Sequence, residues 1–315
     1  MSRHEVTMEK AAVSGAGEAN EIARRVSQAT VIRGDEPLAK HTTLRVGGPA
    51  DVYVEPASEA DLANVLAYCH EHVRQFIVLG RGSNLLVKDG GFRGVVICLA
   101  HAHFSRIEAA GECLDCGAGA RLKAVAAEAK RHSLAGLEFL EGIPGSVGGA
   151  LRMNAGAMGG AMFDVVESIR VMDFAGKVQE RKVCELPVAY RSCPTLKTQI
   201  ALSAMLRGRP GQREAIGQRM NEYSRKRWQS QPAAPSAGCM FKNPASIPAG
   251  KLIDELGLKG TRVGGAVVSA AHGNFIVNDG AASARDILGL IEIIRQRARV
   301  ERGIELETEV EVVGE

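Results

Sequence analysis

The chain has 315 residues, enough for about two domains that each bury a core without disulfide or metal staples, which excludes disorder and mini-protein scaffolds. Hydrophobic residues make up 45% and charged residues 24%, and 39 Lys and Arg against 36 Asp and Glu leave a net +3, too little for the broad basic footprint of a nucleic-acid binder. Seven cysteines, an odd number, argue for free thiols, while 36 glycines beside only 4% aromatic residues make backbone amides, not stacking rings, the expected ligand contacts.

Residues 1–10 mix acids and bases without a signal-peptide core, and no apolar run approaches the ~18 residues of a membrane span. The expectation is a soluble, cytoplasmic protein with neither membrane nor nucleic acid as partner. Residues 1–36 lack strand alternation, carry a short amphipathic stretch around 21–28, and read as a loosely attached arm. Residues 51–55 predict a strand. A helix opens at Ser58 with Asp61 three residues on as a capping pair, and it places Leu62, Val65, Leu66, Cys69 and Val73 on one face. Strands are expected at 76–79 and 94–99, an alternating stretch at 104–108, a helix at 121–132, a long glycine-laden loop at 142–160, and strands at 168–173, 178–183 and 199–206.

Gly208-Arg209-Pro210-Gly211 is the clearest linker signal, because Pro lacks a donor and Gly tolerates positive φ, so the domain boundary is placed near 210. Beyond it the pattern gives a charged helix at 212–228, a Pro-rich loop, a short helix ended by Gly257, and strands at 263–269 and 274–278. A long helix capped by Ser283 and Asp286 buries Ile287, Leu290, Ile291 and Ile294, and a final strand covers 304–313. The fold class is α+β.

Two glycine-rich loops carry the chemistry. In Gly80-Arg81-Gly82-Ser83-Asn84-Leu85 the glycines let consecutive amides point inward as an anion nest, or simply make a tight turn. A dinucleotide Rossmann fingerprint fails there, because Leu85 stands where a third Gly or Ala is needed and a strand follows instead of a helix. The second loop, Gly142 to Gly149 and on to Asn154 and Gly156, allows close backbone approach to a flat or charged ligand, unless it is merely a mobile connector. Cys113 and Cys116 form a C-x-x-C with no second pair to complete a zinc site, and the histidines at 70, 72, 101 and 103 read as surface residues, so no metal is expected. Arg225-Lys226-Arg227 could grip an anion or complement a helix dipole. Cys239 is a reactive thiol beside Lys242 or a packing residue. Strand alternation would put Glu307, Glu309 and Glu311 together on a solvated face.

Taken together, Thr42 to Gly48, Gly80 to Val87, Gly142 to Gly156, Tyr190-Arg191-Ser192, Cys239 to Pro244, Ala249 to Gly260 and Leu306 to Gly314 resemble, in order, the UDP-N-acetylenolpyruvoylglucosamine reductase family of peptidoglycan precursor synthesis, the UDP-N-acetylmuramate dehydrogenases. The resemblance runs from about residue 38 to the C-terminus. It implies an arm over 1–36, a two-subdomain FAD-binding unit of the vanillyl-alcohol-oxidase type over 37–209, and a smaller α+β substrate domain over 210–315. Only residues 208–238 separate the last strand of the first domain from the loop of Cys239, as in the shorter of the family's two classes, which lacks an inserted tyrosine loop.

On this resemblance FAD sits non-covalently on Gly80, Arg81, Gly82, Ser83, Asn84, Leu85, Gly145, Ser146, Gly149, Asn154 and Gly156, since residues 80–87 hold no His or Cys to link a flavin. NADPH reduces the FAD, and hydride then passes to the enolpyruvyl methylene of a UDP-sugar. Arg191 matches the arginine that pairs with the substrate carboxylate and Glu309 the C-terminal glutamate that assists the enolic intermediate. Cys239 stands where familiar members carry a proton-donating serine. Tyr190, Arg227, Lys242 and Asn243 are the nearest candidates for substrate contacts. A flavin oxidase of the same superfamily and a non-catalytic flavin-binding protein are the rival readings; neither needs a proton donor aimed at a carbanion.

Overall fold

The computed structural model describes residues 15–315. Helix α1 (Gly15–Ala23) leads into β1 (Val31–Pro37), β2 (Pro49–Glu55), α2 (Glu59–Glu71), β3 (Phe76–Leu79), β4 (Leu85–Val87) and β5 (Phe92–Cys98). Four of these strands form a sheet in the order β1-β2-β5-β3, antiparallel at β1/β2 and parallel elsewhere. Strand periodicity sorts the side chains: Val52, Val54, Val95 and Ile97 pack with Leu62, Val65 and Leu66 of α2, while Tyr53, Val96 and Leu79 build a small core on the opposite face. Ser58 caps α2 by accepting from the Asp61 amide, as its position predicts.

Residues 15–36 are not a loose arm. Ile22 of α1 is fully buried in the main core, β1 pairs along its length with β2, and Arg74 donates to both Glu18 (2.8 Å) and Asp51 (2.9 Å). The expected amphipathic stretch is shifted as well, since α1 ends at Ala23. Alternation fails to reveal β1 because Arg33, Gly34 and Asp35 are exposed in succession and Asp35 sits at φ +51°. The rest of the expected arm, residues 1–14, lies outside the described residues.

A one-turn helix α3 (Ala102–Ser105) precedes β6 (Ile107–Ala110) and β7 (Cys113–Gly117), so the alternation expected over 104–108 breaks between Phe104, a helical core residue, and Ile107. Then come α4 (Leu122–Arg131), β8 (Leu134–Ala135), α5 (Val147–Arg152), the short pair β9 (Gly156–Ala157) and β10 (Gly160–Ala161), β11 (Val166–Asp173), β12 (Val178–Lys182), β13 (Gln199–Arg207) and β14 (Arg209–Pro210). An antiparallel sheet in the order β12-β11-β13-β7-β6 carries α4 and α5 on its inner side. Cys113 and Cys116 lie on β7, both buried and unpaired.

The boundary near 210 is not where the cores divide. Pro210 pairs with Leu134 through β14 and β8, and Ile216 and Met220 of α6 (Arg213–Ser230) join the first core. The second core takes Leu44, Val46 and Leu86 from the N-terminal part of the chain and, from Ala237 on, gathers α7 (Ala249–Glu255), β15 (Arg262–Val263), β16 (Ala266–Val268), β17 (Ile276–Asn278) and α8 (Ala284–Arg302). Ser283 and Asp286 form the expected capping box on α8, and Asp89 of the first domain accepts from the Ala284 and Arg285 amides (2.8 and 3.0 Å). The last strand is far shorter than expected: only β18 (Glu311–Val313) is regular, and it pairs in parallel with β4.

Candidate functional site

Between the two sheets of the first domain and the C-terminal segment lies a cavity of about 1130 Å³. Leu79 of β3 leads to its wall at Gly80 and Arg81. Ala118 to Arg121 and Ser146, Gly148 and Gly149 form the facing wall, and Tyr190 to Ser192 and Thr308 to Val313 close one end. That volume lies just above the ~300–1,000 Å³ range of ordinary small-molecule pockets, room enough for an elongated ligand.

The 80–85 loop is built for backbone contact. Gly82 sits at φ +59°, where a Cβ would lie 2.4 Å from the His41 carbonyl oxygen, so only glycine fits. Thr43 straps the loop: its amide donates to the Gly82 carbonyl (3.2 Å), and its hydroxyl donates to Ser236 O (2.6 Å) with the Gly82 carbonyl at 3.3 Å. The amides of Arg81, Gly82 and Ser83 find no acceptor among the described residues, leaving donors for an anion. Ser83 Oγ donates to Pro144 O at 2.8 Å and ties this loop to the second, whose Ser146 Oγ would stand 2.9 Å from a Cβ at Gly80. A concave wall that includes Gly80, Gly119, Gly148 and Gly149, next to the free amides of Arg81, Gly82 and Ser83, fits a dinucleotide diphosphate such as that of FAD. One wall residue escaped the sequence reading: Cys98, a buried thiol whose pKa burial pushes up.

The structure divides the other candidates. Gly80, Arg81, Leu85, Ser146, Gly149, Tyr190, Arg191, Lys242 and Glu309 all line the cavity, while Gly82, Ser83, Asn84 and Gly145 lie behind these walls in the same two loops. Asn154 and Gly156 stand away from it. Asn154, at φ +39°, accepts from the Phe163 amide and donates to Ala189 O, bracing the turn that carries Arg191. At Gly156 a Cβ would meet Gly160 O at 2.8 Å, so its role is in the β9/β10 hairpin. Asn243 is off the wall and uses its side chain to accept from the Ala249 amide at the start of α7. Arg227 is off it too. Half-buried, it donates to Gln231, and burial lowers its pKa against the opposing pull of Glu141.

Arg191 and Glu309 meet at one end of the cavity. Arg191 occupies a two-residue turn closed by mutual hydrogen bonds of Ala189 and Ser192, at φ +56°, a conformation that a non-glycine residue holds only under constraint. Its Nε lies 3.0 Å from Glu309 Oε1, an ion pair whose N–H vector is not aligned for a hydrogen bond. Burial raises the Glu309 pKa, and the Arg191 charge opposes that rise. The solvated glutamate face does not form: Glu309 is 13% exposed and Glu307 75%.

Cys239, half-buried and near enough to feel the Glu309 and Arg191 charges, is not among the residues that line the cavity. Burial, with the Glu309 charge second, pushes its thiol pKa up to about 11. Lys242 does not activate it, since the ammonium is drawn 2.9 Å from Glu307 Oε2 at the exposed rim. A residue that sequence reasoning missed holds this segment. Asn274, 2% exposed, accepts from the Phe241 amide (2.9 Å) and donates to the Phe241 carbonyl (2.8 Å). A lone Asn before a strand carries no local signal of that task. Among the described residues no group of three or more His, Cys, Asp or Glu could hold a metal, and no helix is long and apolar enough to cross a membrane.

Comparison with known proteins agrees with this geometry. A family model described as "FAD binding domain" matches residues 50–181, and one described as "UDP-N-acetylenolpyruvoylglucosamine reductase, C-terminal domain" matches residues 231–313, in step with the core division after α6. UDP-N-acetylenolpyruvoylglucosamine reductase of Heliobacterium modesticaldum is 46% identical over 283 residues, covering 89% of this chain and 90% of its own. That of Clostridioides difficile is 44% identical over 286 residues, covering 90% and 94%. The crystal structure of the reductase from Thermus caldophilus superposes with a TM-score of 0.79 at 39% identity, covering 90% of this chain and 99% of that one.

Proposed function

Because the chain belongs to the UDP-N-acetylenolpyruvoylglucosamine reductase family, a family of FAD-dependent oxidoreductases, we propose that it reduces UDP-N-acetylglucosamine-enolpyruvate to UDP-N-acetylmuramate, with NADPH as hydride donor, in peptidoglycan precursor synthesis. Bound FAD supplies a two-electron carrier between the reductant and the enolpyruvyl methylene. The 80–85 loop would hold its diphosphate without a covalent link, from the wall at Gly80 and Arg81, where the amides of Arg81 and the adjoining Gly82 and Ser83 have no acceptor among the described residues.

The observation that carries this reading is the Arg191–Glu309 pair on the cavity wall, with the Cys239 thiol near enough to feel both charges. Hydride arriving at the methylene leaves an electron pair on the carbon beside the carboxylate. The Arg191 guanidinium, a planar fork, stabilises that charge as it spreads into the carboxylate. Glu309, poised between burial and the Arg191 charge, assists the enolic form. Cys239, holding its proton at neutral pH, gives it to the carbon, and the thiolate left behind recovers a proton from solvent. Tyr190 and Lys242 at the cavity rim are the remaining substrate contacts.

Anaerobic stopped-flow absorbance tests the proposal. NADPH should bleach the flavin, and the UDP-enolpyruvyl sugar should restore its colour. Restoration by oxygen alone, with the sugar inert, would replace this reading with that of a flavin oxidase.

A further inference from the structure

The two peptide units that flank the Glu309 Cα are held by different parts of the molecule. Its amide donates to Met240 O (2.8 Å), next to Cys239, and its carbonyl accepts from Asn84 Nδ2 (3.1 Å), in the loop offered to the FAD diphosphate. The Asn84 carbonyl in turn accepts from the Glu311 amide (3.1 Å), where β18 joins β4. Asn84 thus makes two hydrogen bonds to the Glu309 segment, while its remaining side-chain contact is with Met153 Sδ at 3.8 Å. The Asn84 Nδ2 group is directed at the Glu309 carbonyl, beside Met153 of the cavity wall.

Residues 303–310 form no regular strand, and their pairing with the Cys239 loop is a single antiparallel bridge of Thr308 with Phe241, in which Lys242 N donates to Glu307 O (2.9 Å) and Glu309 N to Met240 O. The carboxylate takes its position from that bridge on one side, from the Asn84 bond to the Glu309 carbonyl on the other, and from Arg191. We propose that Asn84 is a positioning residue for Glu309, and that through it the cofactor loop sets the placement of the carboxylate. Filling the loop's free amides restrains the backbone of Asn84, and the restraint passes through one side-chain bond to the reacting end of the cavity. The proposal rests on the role of Glu309 given above.

Two variants test it, Asn84→Ala and the near-isosteric Asn84→Asp, whose carboxylate cannot donate to the Glu309 carbonyl. In FAD-loaded protein the amides of the 306–313 segment should exchange hydrogen about 10-fold faster in either variant, the effect of losing one ordinary hydrogen bond. FAD affinity, read by flavin fluorescence, should shift less than about 3-fold, because backbone amides hold the cofactor. Flavin reoxidation by the enolpyruvyl sugar should slow by roughly 10- to 10²-fold, the usual result of a small misplacement. In a Glu309→Gln background Asn84→Ala should add almost nothing, whereas a general structural defect would multiply through.

Parental exchange rates in 306–313, or full multiplication of the two losses, overturns the proposal. Collapse of FAD affinity with exchange unchanged makes Asn84 a cofactor contact instead. If Glu309→Gln alone leaves reoxidation at the parental rate, the catalytic reading of Glu309 fails, and the exchange measurement still decides whether Asn84 anchors the segment.

Discussion

Arg191 Nε stands 3.0 Å from Glu309 Oε1, although 118 positions separate the two residues and Arg191 must hold φ +56° to get there. Each partner alone is costly: a half-buried guanidinium in a strained turn, and a carboxylate that burial pushes toward its neutral form. Brought together they offset one another and leave both groups facing the cavity.

This pairing predicts an asymmetric kinetic defect. Arg191→Ala should slow flavin reoxidation by the enolpyruvyl sugar by roughly 10²- to 10³-fold, the cost of one transition-state donor, while reduction by NADPH stays nearly intact. Glu309→Gln should show the same asymmetry. Equal slowing of both half-reactions, measured by stopped flow, would make Arg191 a structural or cofactor residue.

Cys239→Ala should lose about 10²- to 10⁴-fold in the substrate half-reaction alone, the span of a positioned general acid. The thiol pKa of about 11 sets the pH profile. The donor is protonated below that value, so kcat/KM should show no thiol limb between pH 6 and 9 and should fall only as pH rises toward 11. Cys239→Ser should keep measurable activity without that limb. A limb near the ordinary thiol value would show that desolvation of this half-buried thiol is weak.

Gly82→Ala places a methyl against the His41 carbonyl at a positive φ. It should cost more than about 1 kcal/mol in denaturant unfolding and weaken FAD binding, as the loop must open to relieve the contact. Unchanged flavin affinity would separate the loop's shape from cofactor binding.

Asp61 joins the N-terminal segment to α2. Burial works to raise its pKa, but hydrogen bonds from the Ser27 amide and hydroxyl and from Ser58 hold it below the usual carboxylate value. With the folded pKa below the unfolded one, its stabilisation is complete above about pH 4 and is lost as pH falls through the folded value. Asp61→Ala should remove about 1–3 kcal/mol at pH 7 and flatten that acid limb in urea titrations.

Local signals in the sequence were sufficient wherever the physics is local. The Ser58 and Ser283 caps, the apolar stripe of Ile287, Leu290, Ile291 and Ile294, and the strand at 76–79 each follow from spacing within a few residues, and the structure carries all of them. The two glycine loops were visible for the same reason, since Gly80 and Gly82 mark close approach in any context. The motif order pointed to Arg191, Cys239 and Glu309 as a set, but nothing in it placed them together.

Tertiary structure alone decided the rest. Alternation put Glu309 in solvent, whereas pairing of β18 with β4 and the bonds to Met240 and Asn84 bury it. Lys242, three residues from Cys239, is held by Glu307 and leaves the thiol unactivated. α6 joins the first core although a Gly-Pro turn precedes it, because Ile216 and Met220 find their apolar partners there. Asn84 meets the Glu309 carbonyl across 225 positions, and a hydrogen bond over that separation leaves no periodicity in the chain, because each partner's own neighbours are chosen by other constraints.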